Sequence, residues 1–424
     1  MSTSGALAPM TRRVRMTQAC LAGIALGSLI AGSLPPRSYT KDLQEPYLAA
    51  RALREGIDIY TPVNELAARY FPIAADTFPH PDPHPPVLAV LSLPLTLLPF
   101  PVVVPLWLAV NLVMLVMVGR WLGVSIRMSL ALAAWPPLWC LLYIGQLELL
   151  ILTLAVLGWR SAAAGRDGRA GVWFGVAAVL KLYPVLLLVP FAARGRIRLL
   201  LAAGAVVAAG QLVNLATVGP AGFVRYYFDV LPSVAVLYEH LGLNSSPHGA
   251  LLRVFGGAGD VSPIVHAPNV VLPATIAIAL VAMAALAFLD PEASPVAALV
   301  GLPVVWYYYA PLALPQILIL LRSAAFRRAT LVAVAAMSFS LPLVNVLVQW
   351  CGSAAPPMAA LLAVQPAGLL AVLALSVAQR ASARTIPPLP TTMLRSSDPA
   401  AAAGSPPTTS RARGAARRGG ETPT

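Results

Sequence analysis

Apolar residues along this chain gather into long blocks, separated by short basic stretches and two longer polar ones. A helix that crosses a bilayer needs about 20 apolar residues. Blocks of about that size lie at 16–34, 103–122, 128–144, 199–218, 268–289, 329–348 and 358–379. Shorter apolar pieces at 86–100, 147–159, 170–193 and 296–321 are interrupted by prolines or aromatics. The pattern predicts an all-α polytopic membrane protein with about ten to twelve crossings, some of them broken or re-entrant. The long polar segments run from about 35 to 85 and from about 219 to 268. Within the first, Leu43, Tyr47, Ala50 and Leu53 recur at helical spacing, and Gly56 follows. That spacing predicts an amphipathic helix over 43–55, ended by Gly56 and lying along the membrane surface.

Composition sharpens the picture. The 424 residues are 58% apolar and only 11% charged, against roughly 25% charged in soluble domains. A soluble enzyme, a disulfide-rich secreted module and a disordered hub are excluded. The net charge of +13 calls for no nucleic acid, because basic cytoplasmic loops produce the same excess. Cys20, Cys140 and Cys351 fit no zinc or redox spacing and read as small core residues.

The basic residues also set orientation. Arg12, Arg13 and Arg15 precede the first apolar block, which looks like a signal peptide retained as a helix. Arginines cluster again at 160–169, 194–198 and 322–328, and in the tail. The expectation is a plasma-membrane protein with residues 1–15 and 381–424 in the cytoplasm, the tail being disordered. The two polar segments then face outward. The first holds Asp42, Glu45, Glu55, Asp58, Glu65, Asp76 and Asp82, and the two together hold all five histidines. Polar breaks at Gly145-Gln146, Lys181-Leu182-Tyr183-Pro184 and Trp306-Tyr307-Tyr308-Tyr309 come to the same external level if each piece enters from the cytoplasm and turns back.

Four places could carry chemistry. Asp42, just past the first block, is a carboxylate at headgroup depth. It could take a proton from a hydroxyl, or be a solvated interfacial acid. Lys181 could stabilise a leaving phosphate, or snorkel. In Phe78-Pro-His80-Pro-Asp82-Pro-His84-Pro-Pro86, two histidines and an acid could bind metal, but the prolines favour a stiff structural turn, with His84 facing the site. Asn244-Ser-Ser246 matches a glycosylation sequon, and Arg253 beyond it could hold phosphate or pair with Asp260 or Glu239. The run 306–309 could be an interfacial aromatic belt or stack on a sugar. No phosphate-binding P-loop and no dinucleotide fingerprint is present.

Taken in order, these landmarks resemble the DUF2029 family of integral-membrane glycosyltransferases in the GT-C superfamily, which includes polyprenol-phosphate-mannose-dependent α-mannosyltransferases. The likeness runs over about 16–380. It rests on Asp42, Tyr47, Ala49-Ala50, Gly56 and Tyr60, then His84-Pro85-Pro86, Gly145-Gln146 and Leu180-Lys181-Leu182-Tyr183-Pro184. Asn244, Ser246 and Arg253 follow, and last comes Pro303-Val-Val-Trp306. The resemblance implies a GT-C-like helical bundle with external amphipathic loop helices. It implies Asp42 as general base, a polyprenyl-phosphate sugar as donor, and inversion at the anomeric carbon. Lys181 and Arg253 would hold the donor phosphate. Tyr47, Tyr60, His84, Gln146, Asn244, Trp306 and Tyr307 would line the pocket for sugar and acceptor, the latter a glycolipid or glycan. No cofactor is expected; the residues leave the need for a metal open, the single-carboxylate pattern leaning against one, and no ligand set is assigned. The rival reading is a transporter or flippase, which broken helices suit equally well.

Overall fold

The computed structural model describes residues 40–71, 78–258, 262–339 and 358–382. The expected first crossing at 16–34, the N-terminal arginines and most of the basic tail lie outside the described residues. Every regular element among the described residues is helical. Phe100–Trp121, Ile197–Glu239, Pro268–Phe288 and Ala360–Ser382 are long and apolar enough to span a bilayer, and Ile126–Leu132 with Pro136–Ile144, bent by 76°, makes a fifth candidate. Among the described residues, length and composition thus count fewer spans than the ten to twelve expected of the whole chain. Proline accounts for much of the difference: it divides the remaining apolar sequence into pieces such as Pro86–Leu97 and Tyr183–Ala192.

The polar segment 219–268 holds more helix than its composition suggests. A kink at Gly219 (φ 69°, ψ 174°) precedes Pro220, after which helix resumes to Arg225, passes through a π-helical turn at Tyr226–Val230 and continues as Leu231–Glu239. Pro220 sits where the helix restarts after the kink, so it removes no needed hydrogen bond, and Pro232 follows directly on the π-helical turn.

Large apolar side chains on the longest helices point outward. Leu201, Leu212, Leu272 and Leu280 are each about two-thirds exposed. Such a surface is costly in water and ordinary in lipid. The core lies where the Glu148–Ala163 and Asp167–Leu180 helices pack on each other and on Ile197–Arg225. Gly171 permits the last approach: a Cβ there would sit 2.2 Å from the Leu199 carbonyl oxygen. A second core holds Tyr47, Leu48, Tyr60 and Tyr226 beneath the Lys41–Arg54 helix.

The two ends of the bundle differ in charge. At one end Arg196 pairs with Asp167, Arg194 and Arg380 meet Asp290, and Arg322 donates to the Leu122 carbonyl. Glu148–Ala163 carries Arg160 near its far end and Glu148 at its start, a helix length of about 24 Å. Asp167–Leu180 likewise runs from the arginine end to Lys181. The polar breaks therefore lie at the end opposite the arginines.

Candidate active site

Asp42 stands in the first turn of the Lys41–Arg54 helix, where the helix dipole favours a negative charge. The residue before this helix, Thr40, has a positive φ of 57° and donates its N–H to the Tyr143 carbonyl at 2.9 Å. A β-branched residue in that conformation is strained, and the strain fixes the start of the helix against Pro136–Ile144. That second helix ends at Gly145, whose φ of 81° turns the chain so that Gln146 faces Asp42. Trp107 holds the turn by donating its indole N–H to the Gly145 carbonyl at 3.0 Å.

The three breaks meet here. Gln146 donates its amide to Asp42 Oδ2 and to the Tyr308 hydroxyl, and Tyr308 itself donates to Asp42 Oδ2 at 2.9 Å. Lys181 donates to Gln146 Oε1 at 3.0 Å, to Tyr309 at 3.4 Å and to Glu148, its ion-pair partner. Gln146 thereby relays between the carboxylate of Asp42 and the ammonium of Lys181. Lys181 reaches in because the chain leaves its helix in extended conformation just ahead of Pro184. These groups line a cavity of about 420 Å³, within the size range of small-molecule sites. Tyr183 stacks on Tyr309, Trp306 stacks on Tyr308, and Tyr238 packs edge-on against Trp306, giving aromatic walls suited to a sugar ring.

Burial raises the Asp42 carboxyl above its ordinary range, and the hydrogen bonds from Gln146 and Tyr308 and the charges of Lys181 and Lys41 oppose that rise. Glu45 is pushed much further by burial, then by the neighbouring Asp82 and Asp42. A carboxyl shifted upward but still held by donors suits a general base.

Of the residues singled out from sequence, Asp42, His84, Gln146, Lys181, Asn244, Arg253, Trp306 and Tyr307 line this cavity. Tyr47 and Tyr60 do not. Tyr47 lies five residues beyond Asp42, about 140° around the helix, and donates to the Leu98 carbonyl at 3.0 Å. Tyr60 stacks on Tyr226 in the core. Asn244 is fully buried and acts as a staple: its carbonyl accepts from the N–H groups of Ser246 and Val305, and its amide donates to Glu239 and Pro303 carbonyls. Its burial makes the sequon inaccessible in the folded chain. Arg253 donates to the carbonyls of Gly242, Asn244 and Leu362, with its Nε buried and unpartnered. Tyr307 donates to the Ser338 carbonyl at 2.8 Å.

Sequence reasoning gave no individual site role to Glu45, Tyr308, Tyr309 and Lys41, which also line the cavity; Tyr308 and Tyr309 entered only as members of the 306–309 run and Glu45 only as one of the acids of the first polar segment. Glu45 was findable: three residues after Asp42 it shares the same helix face. Tyr308 and Tyr309 sit in a run whose spacing alone does not say which ring turns inward.

The model of glycosyltransferase family 87 matches residues 83–315, more than half of the chain. No curated protein and no solved structure matches.

Proposed function

Since the chain belongs to glycosyltransferase family 87, we propose that it moves a hexose, mannose by its sequence likeness, from a polyprenyl-phosphate donor to a hydroxyl of a glycolipid or glycan. The supporting observation is the convergence of Asp42, Gln146, Lys181, Tyr308 and Tyr309 on one cavity. Asp42 takes the acceptor proton as the hydroxyl oxygen attacks the anomeric carbon. The bond from that carbon to the phosphate oxygen breaks, and polyprenyl phosphate leaves as an anion that needs no general acid. Attack from the opposite face inverts the centre, so a β-linked donor gives an α-linked product.

Lys181 and Arg253 are the cations for the departing phosphate, with Lys41 a third. Lys181 shares its charge with Glu148, and Arg253 with three carbonyls. Lys41 faces the cavity with its ammonium 4.0 Å above the Phe78 ring. His84, Trp306 and Tyr307 complete the walls around the sugar. The positive-inside rule supports a cytoplasmic arginine end; on this reading the protein lies in the plasma membrane with the cavity on the external face and both termini inside.

The test uses detergent-purified protein, labelled polyprenyl-phosphate-mannose and an envelope lipid extract. A new labelled glycolipid is expected. Asp42→Asn should lower its rate about 10²–10⁴-fold, the usual worth of a positioned base, with the melting temperature held. Full activity of that variant would remove Asp42 from the mechanism. Movement of donor across vesicles with no transfer would turn the reading to a flippase.

A further inference from the structure

Beside Asp42 stands a second group of ligating side chains, two of them in the cavity wall, of which sugar transfer as described uses only His84, as a wall residue. Glu45, Asp82 and His84 each present one ligand atom, all within 4.8 Å of one another. His84 Nδ1 is hydrogen-bonded to Asp82 Oδ1 at 2.6 Å and lies 3.6 Å from Glu45 Oε2, so a bound cation would take the place of the proton they share. Ligand atoms around one ion bound at about 2.1 Å lie about 3–3.5 Å apart, and these two separations bracket that spacing. The three side chains are 4%, 8% and 9% exposed for Glu45, Asp82 and His84.

Two features set the group apart from an ordinary acidic patch. Glu45 Oε1 is buried with no hydrogen-bond partner, an arrangement that costs free energy unless something occupies it. Its carboxylate points to His84 and faces the cavity. The scaffold is also stiff. Pro79, Pro81, Pro83, Pro85 and Pro86 alternate through the loop, and the His84 N–H is tied to Asp82 Oδ1 at 2.9 Å.

We propose that Glu45, Asp82 and His84 form a divalent-cation site open to the cavity. Two carboxylates and one imidazole suit Mn²⁺ or Zn²⁺ better than Mg²⁺ or Ca²⁺, which take oxygen ligands. Three protein ligands leave positions free for another group, as in catalytic sites rather than structural ones. On the reading of the cavity as a glycosyl-transfer site, that group is the phosphate of the donor, whose leaving charge the cation would offset. Binding of the metal itself does not depend on that reading.

The test is full-length protein in detergent, stripped with chelator and titrated with Mn²⁺ alone, followed by electron paramagnetic resonance and by melting temperature. Saturable binding and a raised melting temperature are expected, and Glu45→Gln and Asp82→Asn should each weaken affinity at least about tenfold. Asp42→Asn should bind as wild type does. No saturable binding, or equal binding by Glu45→Gln and Asp82→Asn, overturns the site. Transfer that persists in chelator with no Mn²⁺ bound removes the cation and leaves the transferase; Mn²⁺ bound without any transfer does the reverse.

Discussion

Replacing Lys181 with Met should destabilise the protein as well as silence it. Glu148 is fully buried, its Oε2 has no hydrogen-bond partner, and Lys181 is its ion-pair partner. Removing the ammonium strands a buried carboxylate, a change that costs about 3–5 kcal/mol. Gln146 Oε1 also loses the 3.0 Å bond from Lys181, worth about 1 kcal/mol. The double variant Lys181→Met with Glu148→Leu takes away both charges. Replacing a buried pair by apolar groups is often neutral or stabilising by about 1–4 kcal/mol, so the second substitution should recover most of the loss. Thermal melting in detergent measures both, and transfer activity is read on the same samples. The double variant should be folded and inactive, because Gln146 is no longer held against Asp42. A double variant as unstable as the single one would refute the argument. So would a single variant as stable as wild type.

Two further outcomes follow from the site. On the proposed mechanism transfer requires ionised Asp42, and burial, partly opposed by Gln146, Tyr308 and the nearby lysines, holds its carboxyl above the ordinary 3.8. Activity should therefore fall as pH drops through a limb lying above that value, and a pH–rate profile flat down to it would contradict the assignment. Gly145→Ala should lose about 1–2 kcal/mol from its φ of 81° alone, and more because the new Cβ would stand 2.7 Å from Leu43 Cβ; melting and transfer rate should fall together, and unchanged values would show that this turn does not position Gln146.

Much of this arrangement was legible in the chain because the signals are local. Leu43, Tyr47, Ala50 and Leu53 foretold the helix that begins at Lys41, and Gly56 with its φ of 69° follows its end. Gly145-Gln146, Lys181 before Pro184, and Trp306 before three tyrosines stood out because polar residues interrupt apolar runs. Their meeting was less legible, since Gln146 and Tyr308 are 162 residues apart and no local pattern encodes such a contact. Tyr47 and Tyr60 fall outside the cavity: Tyr47 is turned about 140° from Asp42 by helical spacing, and Tyr60 sits in the turn beyond the helix, stacked on Tyr226. Asn244 and Arg253 do line the cavity, but their polar atoms are largely engaged by backbone carbonyls and N–H groups, and a sequence does not reveal a side chain's partners.

The charges around the cavity place a demand on any phosphate-bearing donor. Asp42 and Glu45 line it, with Asp82 and Glu148 behind them as partners of His84 and Lys181; against these four acids stand Lys41, Lys181 and an Arg253 already engaged by three carbonyls. Lys181 is already matched by Glu148, so its field at the cavity is largely spent inside the wall. Lys41 faces Asp42 and Glu45 on its own helix turn. An incoming anion would then meet more negative charge than positive unless Glu45 keeps a proton or a cation joins the wall. Burial already drives Glu45 toward the neutral form, which removes repulsion but supplies no attraction. A divalent ion between Glu45, Asp82 and His84 would do both, turning the acidic flank of the cavity into the place where a leaving phosphate is best stabilised. The acidity of the 35–85 segment and the proposed anionic donor would thus be compatible through one physical device, and the same acids that make the cavity inhospitable when bare would be what selects a metal-assisted substrate.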